Sequence, residues 1–205
     1  MIFFEYMKFQ YNKKIDDWSH NMISNLNETW GVQLNKKSTK SKYKTLPFLK
    51  NYLDGYWQKY ETKIIKKLNN IFKLNFRSND FSLYLNTTIV SLHNTEKQFI
   101  SISLNHSFIS YPTIIIHELS HIYFYKYIQN NLITDLDEAE LNELKEIITV
   151  IINNEFKEYI DYPDIGYPNH QKIREQAKKI WRKNKNIDTF IEKLIKIYKK
   201  ESGHN

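Results

Sequence analysis

Tyr111-Pro112-Thr113-Ile114-Ile115-Ile116-His117-Glu118-Leu119-Ser120-His121-Ile122-Tyr123-Phe124 is the stretch on which the fold turns. Ser110 is placed to cap a helix and Pro112 suits its first turn, so the spacing predicts a helix from Tyr111 to about Asn130. Apolar residues occupy nearly every face of it, and a helix without a polar face is a buried one. Yet it holds two imidazoles and a carboxylate. His117 and His121 stand four apart, one turn above each other on one face, with about 5 to 6 Å between their Cβ atoms. Burying three such side chains without partners costs several kcal/mol, roughly.

The rest of the chain arranges itself around this helix. Upstream, Phe81 to Asn86 and Phe99 to Leu104 alternate polar and apolar residues and read as strands, with a hairpin turn through His93-Asn94-Thr95-Glu96. Further upstream, residues 13 to 30 and 46 to 73 are amphipathic helices, separated by a polar connector at 32 to 45, with Gly31 available as a C-cap. Downstream, a long helix starts near Asp135 or Asp137 and continues through Glu155 towards Ile160. The turn-rich Tyr162-Pro163-Asp164-Ile165-Gly166-Tyr167-Pro168 follows, and helices at about 169 to 183 and 187 to 200 close the chain. The 205 residues suit one domain, with N-terminal helices in 1–75, strands and the central helices in 76–160, and C-terminal helices in 161–205. The expected class is α+β, mostly helical, with a small antiparallel sheet of about two to four strands beside the central helix.

A metal ion resolves the burial problem, because two imidazoles at this spacing converge on one ion at about 2.0 to 2.1 Å, a zinc-binding geometry. Glu118, next to the first His, then has a metal-bound water from which to take a proton. The sequence has no cysteine, so the ligands must be His, Asp or Glu. One Zn2+ ion is expected.

A strand pair, then a buried helix bearing His117-Glu118-Leu119-Ser120-His121, then a helix rich in Glu, resembles the zincin metallopeptidases over about residues 80 to 160. The resemblance is to the gluzincin branch, in which a downstream Glu is the third ligand. The Gly and third His of the metzincins do not follow His121. Glu140, Glu143 and Glu146 are the candidates for that ligand. Taking about 100° per residue, Glu140 and Glu143 fall inside the apolar face and Glu146 on its border, so burial alone favours Glu143. Glu146 shares a polar edge with Thr149 and Asn153, which can supply supporting hydrogen bonds. The apolar run it heads also resembles the metal-binding helix of the regulatory metallopeptidases that cleave phage and stress-response repressors. Glu146 is therefore preferred, with Glu143 next.

The resemblance implies hydrolysis of a peptide or protein substrate, with Glu118 as general base. An oxyanion donor is also needed, and Tyr167 and His170 after the turn-rich loop are the candidates, with Arg174 nearby. The strand Phe99 to Leu104 is the candidate edge to which an extended substrate adds. His93 and His106 read as surface or turn residues, and Tyr123, Tyr125 and Tyr127 as packing.

The net charge of +7 raises the question of an anionic partner, but the lysines are scattered along every helix, densest at 36 to 44 and in the last thirty residues. This reads as a plain basic surface, without a nucleic-acid partner. No apolar run has the length of a membrane span, and Glu5 and Lys8 interrupt the N-terminus too early for a signal-peptide core, so the cytoplasm is the expected compartment. The alternative to a peptidase is a non-catalytic regulator or binding module on the same scaffold, its metal structural and its basic C-terminal helices holding a partner.

Overall fold

The computed structural model describes residues 8–30, 39–131 and 136–202. Strand β1 (Gln10–Tyr11) leads into helix α1 (Lys13–Trp30), and helix α2 (Thr39–Phe72) follows. Gly31, the first half of the polar connector, 32–38, and Asp135 lie outside the described residues. Helix α2 begins earlier than the apolar pattern predicts. Its Pro47 removes one backbone donor without ending the helix. Leu49, Leu53, Trp57, Ile64 and Leu68 on its periodic face are all buried.

Three strands come next: β2 (Ser82–Asn86), β3 (Leu92–Asn94) and β4 (Phe99–Ser103). The sheet order is β1-β2-β4-β3. β1, β2 and β4 run parallel, with Ser82 opposite Phe99, and only β3 is antiparallel, with His93 opposite Ile100. The sheet is therefore mixed, not the antiparallel one expected. The turn after His93 is indeed a hairpin, but it joins β4 to the short β3, not to β2. β4 is an interior strand with all five residues buried, so it is not the open edge. The edges are β1 and β3. The polar members of β4 are hydrogen-bonded in the interior: Asn86 Nδ2 donates to Ser101 O at 2.8 Å, and Ser19 and Ser101 share a hydrogen at 3.1 Å.

Helix α3 (Tyr111–Asn131) packs against α2, β3 and β4. Fourteen of its 21 residues are buried, as an all-round apolar sequence requires. Helix α4 (Glu138–Ile148) opens on a capping box, Asp137 accepting from the Glu140 N–H at 2.8 Å while Glu140 Oε2 accepts from the Asp137 N–H at 2.9 Å. The expected continuous helix to Ile160 is broken. Thr149–Ile151 tighten into a 3-10 turn, and α5 (Ile152–Glu155) ends at Phe156. After a loop, α6 (Gln171–Lys183) and α7 (Ile187–Ser202) close the chain. Buried side chains from Phe9 to Leu194 form one core cluster. No described helix is long and apolar enough to cross a membrane.

Because Ile115 is fully buried in the helix on which the core and the site both rest, Ile115→Ala is expected to cost about 2 to 5 kcal/mol of unfolding free energy. Urea unfolding monitored by circular dichroism reads this directly.

Candidate metal centre

Helices α3 and α4, the edge strand β3 and the loop before α6 meet at one cluster. Consecutive turns of α3 present His117 and His121, whose rings lie edge to face at 4.4 Å between centroids. Glu146, in the last turn of α4, reaches both: its Oε2 is 3.2 Å from His117 Nε2 and its Oε1 is 3.4 Å from His121 Nε2. Lys145 Nζ also approaches Oε1, at 3.2 Å. Glu146 Oε2 and His121 Nδ1 are buried, and among the described residues neither makes a hydrogen bond. Atoms held tetrahedrally about 2.0 to 2.1 Å from one ion stand about 3.3 to 3.4 Å from each other. Each of the two nitrogen-to-oxygen distances, made to different oxygens of the one carboxylate, lies close to that edge.

Behind His117 stands Asp164. Its Oδ1 is 3.1 Å from His117 Nδ1, while Oδ2 accepts from Thr149 Oγ1 at 2.7 Å and from Arg174 Nη2 at 2.6 Å. Asn153 grips the backbone of Asp164 twice, its side chain accepting from the Asp164 N–H and donating to the Asp164 carbonyl, both at 2.8 Å. Thr149 and Asn153 thus support the cluster through Asp164, and not through the carboxylate of Glu146. Gly166 makes the Arg174 contact feasible. Its φ of +63° is a left-handed conformation that side chains rarely adopt, and a Cβ there would sit 2.5 Å from the guanidinium.

Glu118 is buried on the same helix, and its Oε2 lies 2.9 Å from Nδ1 of His93. The His93 ring in turn packs 4.7 Å from that of His121. His93 is therefore part of the site and not the turn residue expected from sequence. It brings a second group of donor atoms together, His93, Glu118 and His121, beside the first group of His117, His121 and Glu146. The other expected residues fall elsewhere. Glu143, whose side chain is 46% exposed, is hydrogen-bonded to His170, and Glu140 is spent on the cap of α4. Neither joins a donor group. Tyr167 packs edge to face on His170, 5.7 Å between centroids. His106 bonds Ser91 at 3.0 Å, and Tyr123 and Tyr127 are buried in the core as expected.

The charges follow from this packing. Burial alone would strip the proton from His117, but the carboxylates of Asp164 and Glu146 beside it hold it on, raising the group from 6.5 to about 10. His121 goes the other way, lowered to about 4 by burial, an effect only partly opposed by Glu146. Glu146 and Asp164 are both depressed: burial works against their charge, and His121 and His117 for the one, His117 and Arg174 for the other, overcome it. For Glu118 burial is likewise outweighed, by the His93 hydrogen bond and the imidazole of His121, and the group falls to about 2. Tyr167 is raised, first by burial and then by the carboxylates of Glu146, Glu118, Asp164 and Glu143, so its hydroxyl keeps its proton.

Neither His93 nor Asp164 was singled out by sequence reading. His93 sits in a strand of only three residues, too short for its alternation to register. Asp164 lies in a Pro-rich loop, where the nearby Gly166 is the one local sign of a close approach.

No protein-family model matches this chain, and neither a curated protein nor a solved structure matches it.

In metal-stripped protein, the raised His117 stabilises the fold fully below its unfolded value of 6.5 and loses that contribution as the pH climbs towards about 10. The depressed His121 acts oppositely, its contribution falling as the pH drops from 6.5 to about 4. Below 4.5 the depressed carboxylates add to the loss. Thermal unfolding in the presence of chelator is therefore expected to show maximal stability near pH 6.5 and a decline on both sides.

Proposed function

We propose that this chain is a zinc-dependent peptidase of the zincin type, with one ion held by His117, His121 and Glu146. The observation that carries the reading is the convergence of two Nε2 atoms and both oxygens of one carboxylate at 3.2 and 3.4 Å in a buried setting. This spacing suits ligands of a single ion. The same geometry favours Glu146 over Glu143 as third ligand. When bound, zinc polarises a carbonyl and brings the pKa of its water towards 7.

The chain's own side chains supply the rest. Asp164 accepts the Nδ1 proton of His117, which leaves Nε2 as the lone-pair donor, and Arg174 and Thr149 keep Asp164 charged and fixed. His93 holds Oε2 of Glu118, so Oε1 is the oxygen that accepts the water proton and later delivers it to the leaving amine. Tyr167, still protonated beside four carboxylates, is the donor we assign to the oxyanion. His170, engaged with Glu143, is the weaker candidate. β3, the outer strand carrying His93, is the edge to which an extended peptide adds. The cytoplasmic setting expected from sequence belongs to this proposal as well.

One feature favours the rival, a zincin scaffold that binds without cleaving. A carboxylate drawn down to about 2 is a weak base. Elemental analysis and a fluorogenic peptide library separate the two readings. Glu118→Gln is expected to keep stoichiometric zinc and lose hydrolysis by at least about 100-fold, Glu146→Gln to lose the metal, and Glu143→Gln to keep it. Full activity in Glu118→Gln would eliminate the proposed mechanism, and an active wild type would eliminate the rival.

Zinc requires a neutral imidazole, yet His117 carries a proton at neutral pH in the free chain. Binding should release about one proton per ion near pH 7, and apparent affinity should fall about tenfold for each pH unit lost. Titration calorimetry in buffers of different ionisation enthalpy measures the proton count.

A further inference from the structure

Helices α6 and α7 carry charge for which the proposed reaction has no use. Residues 171–202 hold eleven Lys and Arg against four Asp and Glu, a surplus of seven. The whole chain holds 30 against 23, so the remainder balances at nineteen of each. Lysines occur on every described α-helix but the short α5, yet the net charge is not so spread. Several of these cations are already engaged: Lys172 with Glu201, Lys178 with Glu175, Lys185 with Glu155, Lys196 with Glu192, and Arg174 with the buried Asp164.

Lys179, Lys183 and Lys193 are different. All three are exposed, and among the described residues they join no ion pair. With Ile180 and Asn184 they line a cleft of about 460 Å3 between α6 and α7, and no carboxylate lines it. Three like charges around one concavity repel one another, a cost that a bound polyanion offsets.

We propose that this cleft binds the phosphate backbone of a nucleic-acid duplex, in place of the plain basic surface expected from sequence. Lys179 and Lys183 are four apart on one helix face, and Lys193 lines the same cleft from the neighbouring helix, an arrangement that suits neighbouring phosphates of one backbone. An anionic membrane is the poorer fit. The exposed large hydrophobic residues, among them Phe48, Phe108 and Ile165, all lie outside residues 171–202, so these helices offer nothing to insert. Unpaired strands fit poorly too, because of the three aromatic residues in these helices Trp181 and Phe190 are buried and Tyr198 is packed against the core, which leaves no row of exposed stacking platforms. What remains is contact with phosphates, independent of base sequence.

The test is fluorescence anisotropy of the full chain with a labelled mixed-sequence DNA duplex of about 20 base pairs, at about 50 and about 200 mM salt. Three phosphate contacts carry a salt slope of about 2.7, equivalent to about 40-fold in affinity across that range. Wild type should show at least this dependence. A Lys179→Gln, Lys183→Gln, Lys193→Gln variant, whose substitutions are all at exposed positions, should lose about 2.7 from the slope while its unfolding curve is unchanged. The control is Lys59→Gln, Lys63→Gln, Lys66→Gln on α2, which removes the same charge from exposed positions and should keep nearly all of the slope. No duplex binding at the lower salt overturns the proposal. So does equal weakening in both variants, which reduces the effect to bulk charge, or a stronger, cleft-dependent affinity for anionic phospholipid vesicles or polyglutamate than for the duplex.

Discussion

Helix α3 has no solvated face, yet it must hold His117, Glu118 and His121. This constraint organises the structure around it. Leu119, Ile122, Tyr123 and Phe124 are buried and the His117 side chain is only 18% exposed, so bulk water cannot satisfy all of these polar groups and partners arrive on other elements. Each partner comes from a different part of the chain: Glu146 from α4, Asp164 from the loop after α5, and His93 from the edge of the sheet. The charges then sort themselves. One imidazole holds a proton between two carboxylates and the other stays neutral, so the free chain already carries one positive charge near the place where the cation is proposed.

Asp164 shows how far the supports extend. It is held by its own backbone through Asn153, by its carboxylate through Thr149 and Arg174, and Arg174 finds room only because Gly166 has no Cβ. The break that ends α4 contributes as well. Thr149 opens the 3-10 turn, and its hydroxyl contacts both the Glu146 carbonyl and Asp164. The irregular segment is thus where the helix that carries Glu146 is tied to the loop that carries Asp164. Regular helix through this point would not give the same register of Thr149 and Asn153 towards the loop.

Much of this was legible in the sequence, for physical reasons that differ by residue. The i, i+4 spacing of His117 and His121 within an apolar run survives translation into structure, because helix periodicity is local. Glu146 was reachable through its shared edge with Thr149 and Asn153, although those two turned out to serve Asp164. Burial on the apolar face misled about Glu143, which lies at the margin of the core and pairs with His170. The sheet was harder to read. Parallel pairing of β2 with β4 depends on a non-local register that strand composition does not encode, and β3 is too short to announce itself. His93 was hidden for the same reason, and Asp164 because loop residues have no period to place them.

Helix α6 connects the donor cluster to the cationic cleft. Its first turns look inward: Arg174, buried, is committed to Asp164 and through it to His117. Its last turns look outward, with Lys179 and Lys183 exposed at the cleft. At about 1.5 Å and about 100° per residue, Arg174 and Lys179 are about 7.5 Å apart along the axis but point about 140° apart around it. Across a helix about 10 to 12 Å wide, their charges stand farther apart than the screening length of roughly 8 Å at physiological salt. Asp164 and Glu146 are held charged by their own neighbours, His117 and Arg174 for the one, His121 and His117 for the other. A single amphipathic helix, Arg174 inside and the lysines outside, thus serves the donor cluster with one face and carries the cationic cleft on the other.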